Sequence, residues 1–297
     1  MTEIEIYETG EKLTLPSSWD EMSAEQVQFV FRTYGECILH GGSPLEFNLR
    51  VLSHLLGLRW RRKTALIERL AADETTRLDE NLAMLCDKCL GFLLEVEPET
   101  LKCRLTFDSV ANPLPVVNSG RTKLYGPSDL LQNLTFGEFR HASVAMQSFL
   151  RSGKEAELDE CIVFLYRRAC KKANRAGRKV VAVDASNIEE EMKPVSRLEA
   201  WQKNLILLWF ASCLKFLQTR DVVINGERVE LGRLFNSEGD ENGGYGFGWN
   251  DLAVQIAKEQ TIGNMERVDE EPLFGILGIM WHNFKEQKRH EAISKAH

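Results

Sequence analysis

Along most of the chain the apolar positions recur every three to four residues, the spacing of one face of an α-helix. Val27, Val30, Phe31 and Tyr34 form one such row, and Phe47, Val51, Leu55 and Leu58 the next. This periodicity predicts helices over 24–40, 44–57, 62–72, 78–95, 136–152, 155–176, 197–219, 249–259 and 272–292. Four of these regions open with a hydroxyl followed three residues later by Gln or Glu: Ser23/Gln26, Ser43/Glu46, Thr135/Glu138 and Ser196/Glu199. That spacing predicts a capping box: the hydroxyl accepts from a first-turn amide and the third residue reaches back to the cap N–H. Pro44 stands where a missing N–H costs a helix nothing. Gly41-Gly42 and Gly57 suit helix ends.

Two stretches alternate instead. Residues 4–7 and 12–15 flank Gly10 and predict a small hairpin; residues 222–231 flank Asn225-Gly226, a dipeptide suited to a two-residue hairpin turn. Pro98, Pro113, Pro115, Gly120, Gly126 and Pro127 punctuate two short extended runs at 102–107 and 115–118. The expected fold is therefore mainly α, a multi-helix globular chain with small β-hairpins near 4–15 and 222–231. Its expected organisation is an N-terminal hairpin and helical unit over 1–97, a partly extended connector over 98–127 and a middle helical unit with a hairpin over 128–235. A glycine-rich loop over 236–248 and a C-terminal helical segment over 249–297 complete it.

Composition narrows the class. A chain of 297 residues with 43% hydrophobic and 27% charged residues carries enough apolar surface for a packed core. The net charge of −7 gives no global attraction to nucleic acid, so any basic site must be local. The N-terminus lacks the basic start and apolar run of a secretion signal, and the longest apolar stretch, near 205–217, is short for a membrane span. The seven cysteines are scattered and odd in number, which predicts reduced thiols and a cytoplasmic setting.

The most pointed polar feature is a basic run, in which Arg167, Arg168, Lys171, Lys172, Arg175, Arg178 and Lys179 follow one another with no acid between Glu160 and Asp184. On the predicted helix Arg167, Lys171 and Arg175 fall in one row, with Arg168 and Lys172 beside it and Ile162, Leu165, Ala169 and Ala173 opposite. Such a stripe serves a phosphate backbone, an acidic protein partner, or simply water and nearby acids such as Glu189, Glu190 and Glu191. A smaller cluster, Arg59-Trp60-Arg61-Arg62-Lys63, has the same ambiguity. In the C-terminal segment Leu273, Leu277, Met280 and Phe284 form an apolar stripe that Phe274 and Trp281 widen. It either packs on the body or docks a partner.

Cys86 and Cys89 form the one Cys-x-x-Cys, inside an apolar-periodic run and without a second pair to complete a metal site. No metal, cofactor or catalytic constellation is expected: the chain has no Gly-x-Ser-x-Gly, His-Glu-x-x-His or dinucleotide glycine fingerprint. An enzyme with dispersed residues stays open, because geometry rather than spacing defines such sites.

The opening Leu15-Pro16-Ser17-Ser18-Trp19-Asp20-Glu21-Met22-Ser23-Ala24-Glu25-Gln26 resembles that of a group of phage and prophage proteins of Bacteroidetes-type bacteria. The stretch from Trp249-Asn250-Asp251-Leu252-Ala253 through Gly263-Asn264-Met265 to Pro272 is similar to the close of the same group. The resemblance covers about a quarter of the chain and carries no site residues with it. It implies a product of a tail-gene region: a non-enzymatic assembly factor or tail-associated protein, in the host cytoplasm or on the virion, that binds a protein partner such as a tail or tape-measure component. The second reading is a nucleic-acid-binding accessory protein using the basic stripe. No membrane partner is expected.

Overall fold

The protein is mainly helical. A computed structural model describes residues 1–6, 11–41, 43–57, 86–100, 102–235 and 264–295. The helices predicted over 62–72 and 249–259, the glycine-rich loop and the basic cluster at 59–63 lie outside the described residues. The chain forms two compact units, one of Met1–Ser109 with Glu199–Leu208, the other of Val110–Leu198 with Trp209–His297.

The first unit begins with an antiparallel hairpin of β1 (Thr2–Ile6) and β2 (Glu11–Leu15), in which Thr2 pairs with Leu15 and Ile6 with Glu11. Helix α1 (Ala24–Tyr34) starts on a complete capping box: the Ser23 hydroxyl accepts from the Gln26 N–H at 3.2 Å, and the Gln26 side chain accepts from the Ser23 N–H at 2.8 Å. It continues as a π-helical turn, Gly35–Leu39, and α2 (Pro44–Leu55) follows. At α2 the box is not made. The Ser43 hydroxyl takes the Leu45 N–H instead, and Glu46 points along the helix to Arg50 at 3.8 Å.

The core of this unit is aromatic. Trp19 lies 5.9 Å from Phe31, 6.0 Å from Phe92 and 4.9 Å from Phe107, in tilted and edge-on arrangements that rings favour. The helix predicted over 78–95 ends early. Residues 86–90 are helical, but β3 (Leu94–Val96) pairs antiparallel with β4 (Cys103–Leu105). Cys86 and Cys89 are buried, and burial pushes the Cys86 thiol up to about 11, as for an inert core cysteine. Among the described residues no group of three or more His, Cys, Asp or Glu is placed to hold a metal.

The second unit contains a hairpin of β5 (Val116–Ser119) and β6 (Thr122–Tyr125), within the segment expected to be a connector. Two helices follow as a hairpin, α3 (Phe136–Ser152) and α4 (Glu155–Leu165), joined through Gly153. Gly153 takes a left-handed φ of 68° and its N–H closes on Phe149 O at 2.7 Å, the usual way to end a helix at glycine.

Helix α4 does not run to 176. It ends at Leu165, and the basic run turns back on itself: the Cys170 N–H donates to Lys179 O, the Val181 N–H to Arg168 O, and the Asn174 N–H to Arg178 O, with Gly177 at φ 83° in the bend. The physical reason lies at Tyr166, Arg167 and Arg178. All three are buried, and the ring hydroxyl of Tyr166 donates to Leu114 O at 2.8 Å. Arg167 exchanges backbone hydrogen bonds with Tyr125 at the end of β6. A continued helix would place Arg167 and Arg178 on one solvated face, whereas the extended backbone buries them.

The unit continues with α5 (Ile188–Val195) and α6 (Ala200–Thr219). Ser196 caps nothing in α6, contrary to the capping box expected there. Its hydroxyl donates back to Lys193 O at the end of α5, while Gln202 accepts from the Glu199 N–H at 3.0 Å. Residues 200–208 of α6 belong to the first unit and 209–219 to the second. A further hairpin joins β7 (Val222–Ile224) to β8 (Glu227–Val229) through Asn225-Gly226, whose φ angles are 52° and 81°. Then come α7 (Met265–Glu270) and α8 (Leu273–Lys295). Among the described residues no helix is long and apolar enough to cross a membrane.

Candidate functional site

Helix α3 positions the chemistry of the second unit. Its capping box is complete: the Thr135 hydroxyl accepts from the Glu138 N–H at 3.3 Å, and the Glu138 carboxylate accepts from the Thr135 N–H at 3.0 Å. Glu138 is 8% exposed and does more than cap. It forms an ion pair with Arg167, lies 3.7 Å from Nη1 of Arg178 and accepts from the Asn174 side-chain amide at 3.3 Å. Two guanidinium groups, 7% and 4% exposed, thus share one buried carboxylate.

The backbone fixes both arginines further. Arg167 Nη1 donates to Val181 O at 3.1 Å, and Arg178 Nη2 donates to Tyr125 O at 2.5 Å and also to Leu165 O. Among the described residues the Nε of each has no acceptor. Burial, reinforced by the like charge of Arg178, pushes the Arg167 guanidinium down to about 9, and burial takes Arg178 down to about 10. Both remain cationic at neutral pH.

Beside this pair a cleft of about 660 Å³ opens, walled by Glu138, His141, Arg167, Lys172, Asn174, Arg175, Asp269 and Glu270, with Phe164, Val180 and Val183 supplying apolar surface. Arg140 holds Asp269 through two contacts, Nε at 3.2 Å and Nη2 at 2.6 Å. Arg140 Nη2 also lies 3.1 Å from Nε2 of His141, which stacks on Phe164 at 4.8 Å. Burial and the Arg140 charge lower the His141 pKa against a smaller opposing pull from Asp269, so the imidazole favours its neutral form. Arg175 reaches Glu270 at 3.3 Å and pairs with Glu271 as well. Gly137 lets α3 approach α7 this closely: a Cβ there would stand 2.7 Å from Cβ of Asp269.

Of the sequence-predicted basic residues, the structure brings Arg167, Lys172 and Arg175 to one cleft. Arg168 faces outward toward Glu191 at 3.4 Å, and Lys171 is exposed away from the cleft lining. They do not form a helical stripe, and Ala169 and Ala173, expected on a buried face, are exposed. The apolar stripe of α8 is turned inward. Leu273, Leu277, Met280 and Trp281 are buried, Phe284 is half-buried and stacks on Trp281 at 5.6 Å, and the Trp281 Nε1–H donates to Glu227 at 3.2 Å. Leu273, Leu277, Met280 and Trp281 therefore pack within the unit, while Phe274 and Phe284 keep part of their rings exposed.

Glu138, His141 and Asp269 were not singled out by sequence as site residues. The one available signal was the missing acid between Glu160 and Asp184, which meant that the counter-charges of the basic run had to come from elsewhere in the chain. No protein-family model matches the chain, and neither a curated protein nor a solved structure is significantly similar to it.

Proposed function

We propose that this chain is a non-catalytic binding protein, a tail assembly factor of the phage type, and that the cleft of the second unit holds a segment of its protein partner. One observation supports this most directly: the cleft presents fixed hydrogen-bond donors and apolar surface, while its acids are committed to arginines. Glu138 is engaged by Arg167 and Arg178, Asp269 by Arg140, and Glu270 by Arg175. Lys172 makes no ion pair among the described residues. Carboxylates held this way are poor proton shuttles, and a rigid donor wall beside an apolar one suits recognition.

The phage resemblance of the opening at 15–26 supplies the biological setting, and a tail or tape-measure component is the proposed partner. The test is co-purification of the full chain with tail-tube and tape-measure proteins of a phage of that group. A complex that weakens on Lys172→Glu supports the reading. Absence of a complex with either product overturns it, as does binding to nucleic acid that weakens steeply with salt in place of protein binding.

A further inference from the structure

We infer that the group this cleft receives is a carboxylate of the partner protein, taken up at the Arg167 and Lys172 side. The inference rests on the binding reading above and specifies its chemistry. Its basis is the imbalance inside the unit: among the described residues Glu138 is the one carboxylate in ion-pair reach of both Arg167 and Arg178, with the Glu191 charge acting on Arg167 from farther off, so one buried guanidinium has no paired carboxylate of its own. Arg167 is 7% exposed, lines the cleft, and has an Nε without an acceptor. Buried donors are rarely left unmade, since each one costs free energy that an incoming acceptor recovers.

Three further features select the ligand. Asp269 and Glu270 on the same cleft wall oppose a phosphate dianion more strongly than a carboxylate. The cleft, at about 660 Å³ and with Phe164, Val180 and Val183 in its lining, exceeds what a bare ion fills and accepts a side chain with its neighbours. The Arg167 guanidinium is already held in place by Val181 O, so little ordering of it is needed on binding.

The experiment follows the arginine Nε–H signals of the full chain by two-dimensional ¹⁵N NMR at neutral pH. The Arg167 signal is assigned by its loss in Arg167→Lys or, should that variant fail to fold, by through-bond correlation. Acetate, inorganic phosphate, a blocked tripeptide with a central Glu and its Gln counterpart are titrated separately. Acetate and the Glu peptide should shift the Arg167 signal saturably, with phosphate weaker and the Gln peptide silent.

Lys172→Glu, a change at an exposed position, should weaken acetate by about tenfold or more, as for loss of a charge-assisted contact. No saturable shift with acetate, or tighter binding of phosphate than of acetate, overturns the inference. A tail-component complex that forms although acetate leaves Arg167 unmoved would remove the carboxylate inference and leave the binding reading standing. Acetate binding without any tail-component complex would do the reverse.

Discussion

Glu138 is the buried counter-ion that Arg167 and Arg178 share, and Glu138→Gln isolates its charge. Glutamine keeps the length of the side chain and an oxygen that can accept from the Thr135 N–H, so the start of α3 survives. What is lost is the carboxylate between Arg167 and Arg178, both of them more than nine-tenths buried. Removing one partner of a buried ion pair leaves an uncompensated charge and costs about 3–5 kcal/mol.

Glu138→Ala should cost about 1 kcal/mol more than Glu138→Gln, because the Thr135 N–H then loses its side-chain acceptor as well. With a urea dependence of about 2 kcal/mol per molar, a loss of about 3 kcal/mol lowers the unfolding midpoint by about 1.5 M. Urea titration followed by circular dichroism reads this directly. The double variant Glu138→Leu with Arg167→Met should regain only part of the loss, since it replaces one buried ion pair by apolar side chains but still leaves Arg178 without its carboxylate. A decrease below about 1 kcal/mol for Glu138→Gln, the level of an exposed surface pair, would refute the placement of Glu138 as the buried counter-ion.

Two other outcomes check neighbouring parts of the site. Gly137→Ala should destabilise the protein by about 1–3 kcal/mol, because its Cβ would drive into Asp269 and separate α3 from α7; a neutral result in the same urea titration would contradict that close approach. For His141, the folded pKa lies below its ordinary 6.5, so the unfolded chain binds the proton more readily. Its contribution to stability is therefore complete above about pH 6.5 and is lost as pH falls through that value toward the folded pKa. Unfolding midpoints measured from pH 7.5 to 5.5 should fall less steeply in His141→Gln than in the parent chain, with the remaining slope owed in part to His54, which burial also lowers. An unchanged slope would show that His141 is not held neutral.

Local chemistry was legible where one short segment decides the outcome. The boxes at Ser23 and Thr135 form because hydroxyl, amide and third-residue side chain all lie within one turn. The Asn225-Gly226 turn forms because both residues accept positive φ. The same capping pattern failed at Ser196, where the end of α5 had a competing use for the hydroxyl.

The basic run was misread for a related reason. Its spacing is compatible with a helix, and neither Gly nor Pro stands at Leu165 to stop one. What stops it is tertiary: a carboxylate nearly thirty residues upstream that is satisfied only if Arg167 and Arg178 reach it from an extended backbone. Spacing within 155–176 carries no record of Glu138, so the convergence of the cleft was invisible even though each of its parts was in view. In α8 the sequence allowed both packing and docking, and in the structure Leu273 and Leu277 are buried.

The discontinuity of the first unit bears on how this protein can be dissected. A fragment ending at Ser109 would lack 199–208, and with it Trp201, whose ring lies 5.0 Å beneath the Arg32 guanidinium and whose Nε1–H bonds to Glu199 at 2.7 Å. Such a fragment would expose the surface those residues cover, and the complementary fragment would carry the same stretch with nothing from 1–109 to pack on. Gene truncations at the apparent boundary are therefore a poor route to isolated units. Supplying 199–208 in trans, or fusing it behind residue 109 through a flexible linker, is the rearrangement that the fold permits.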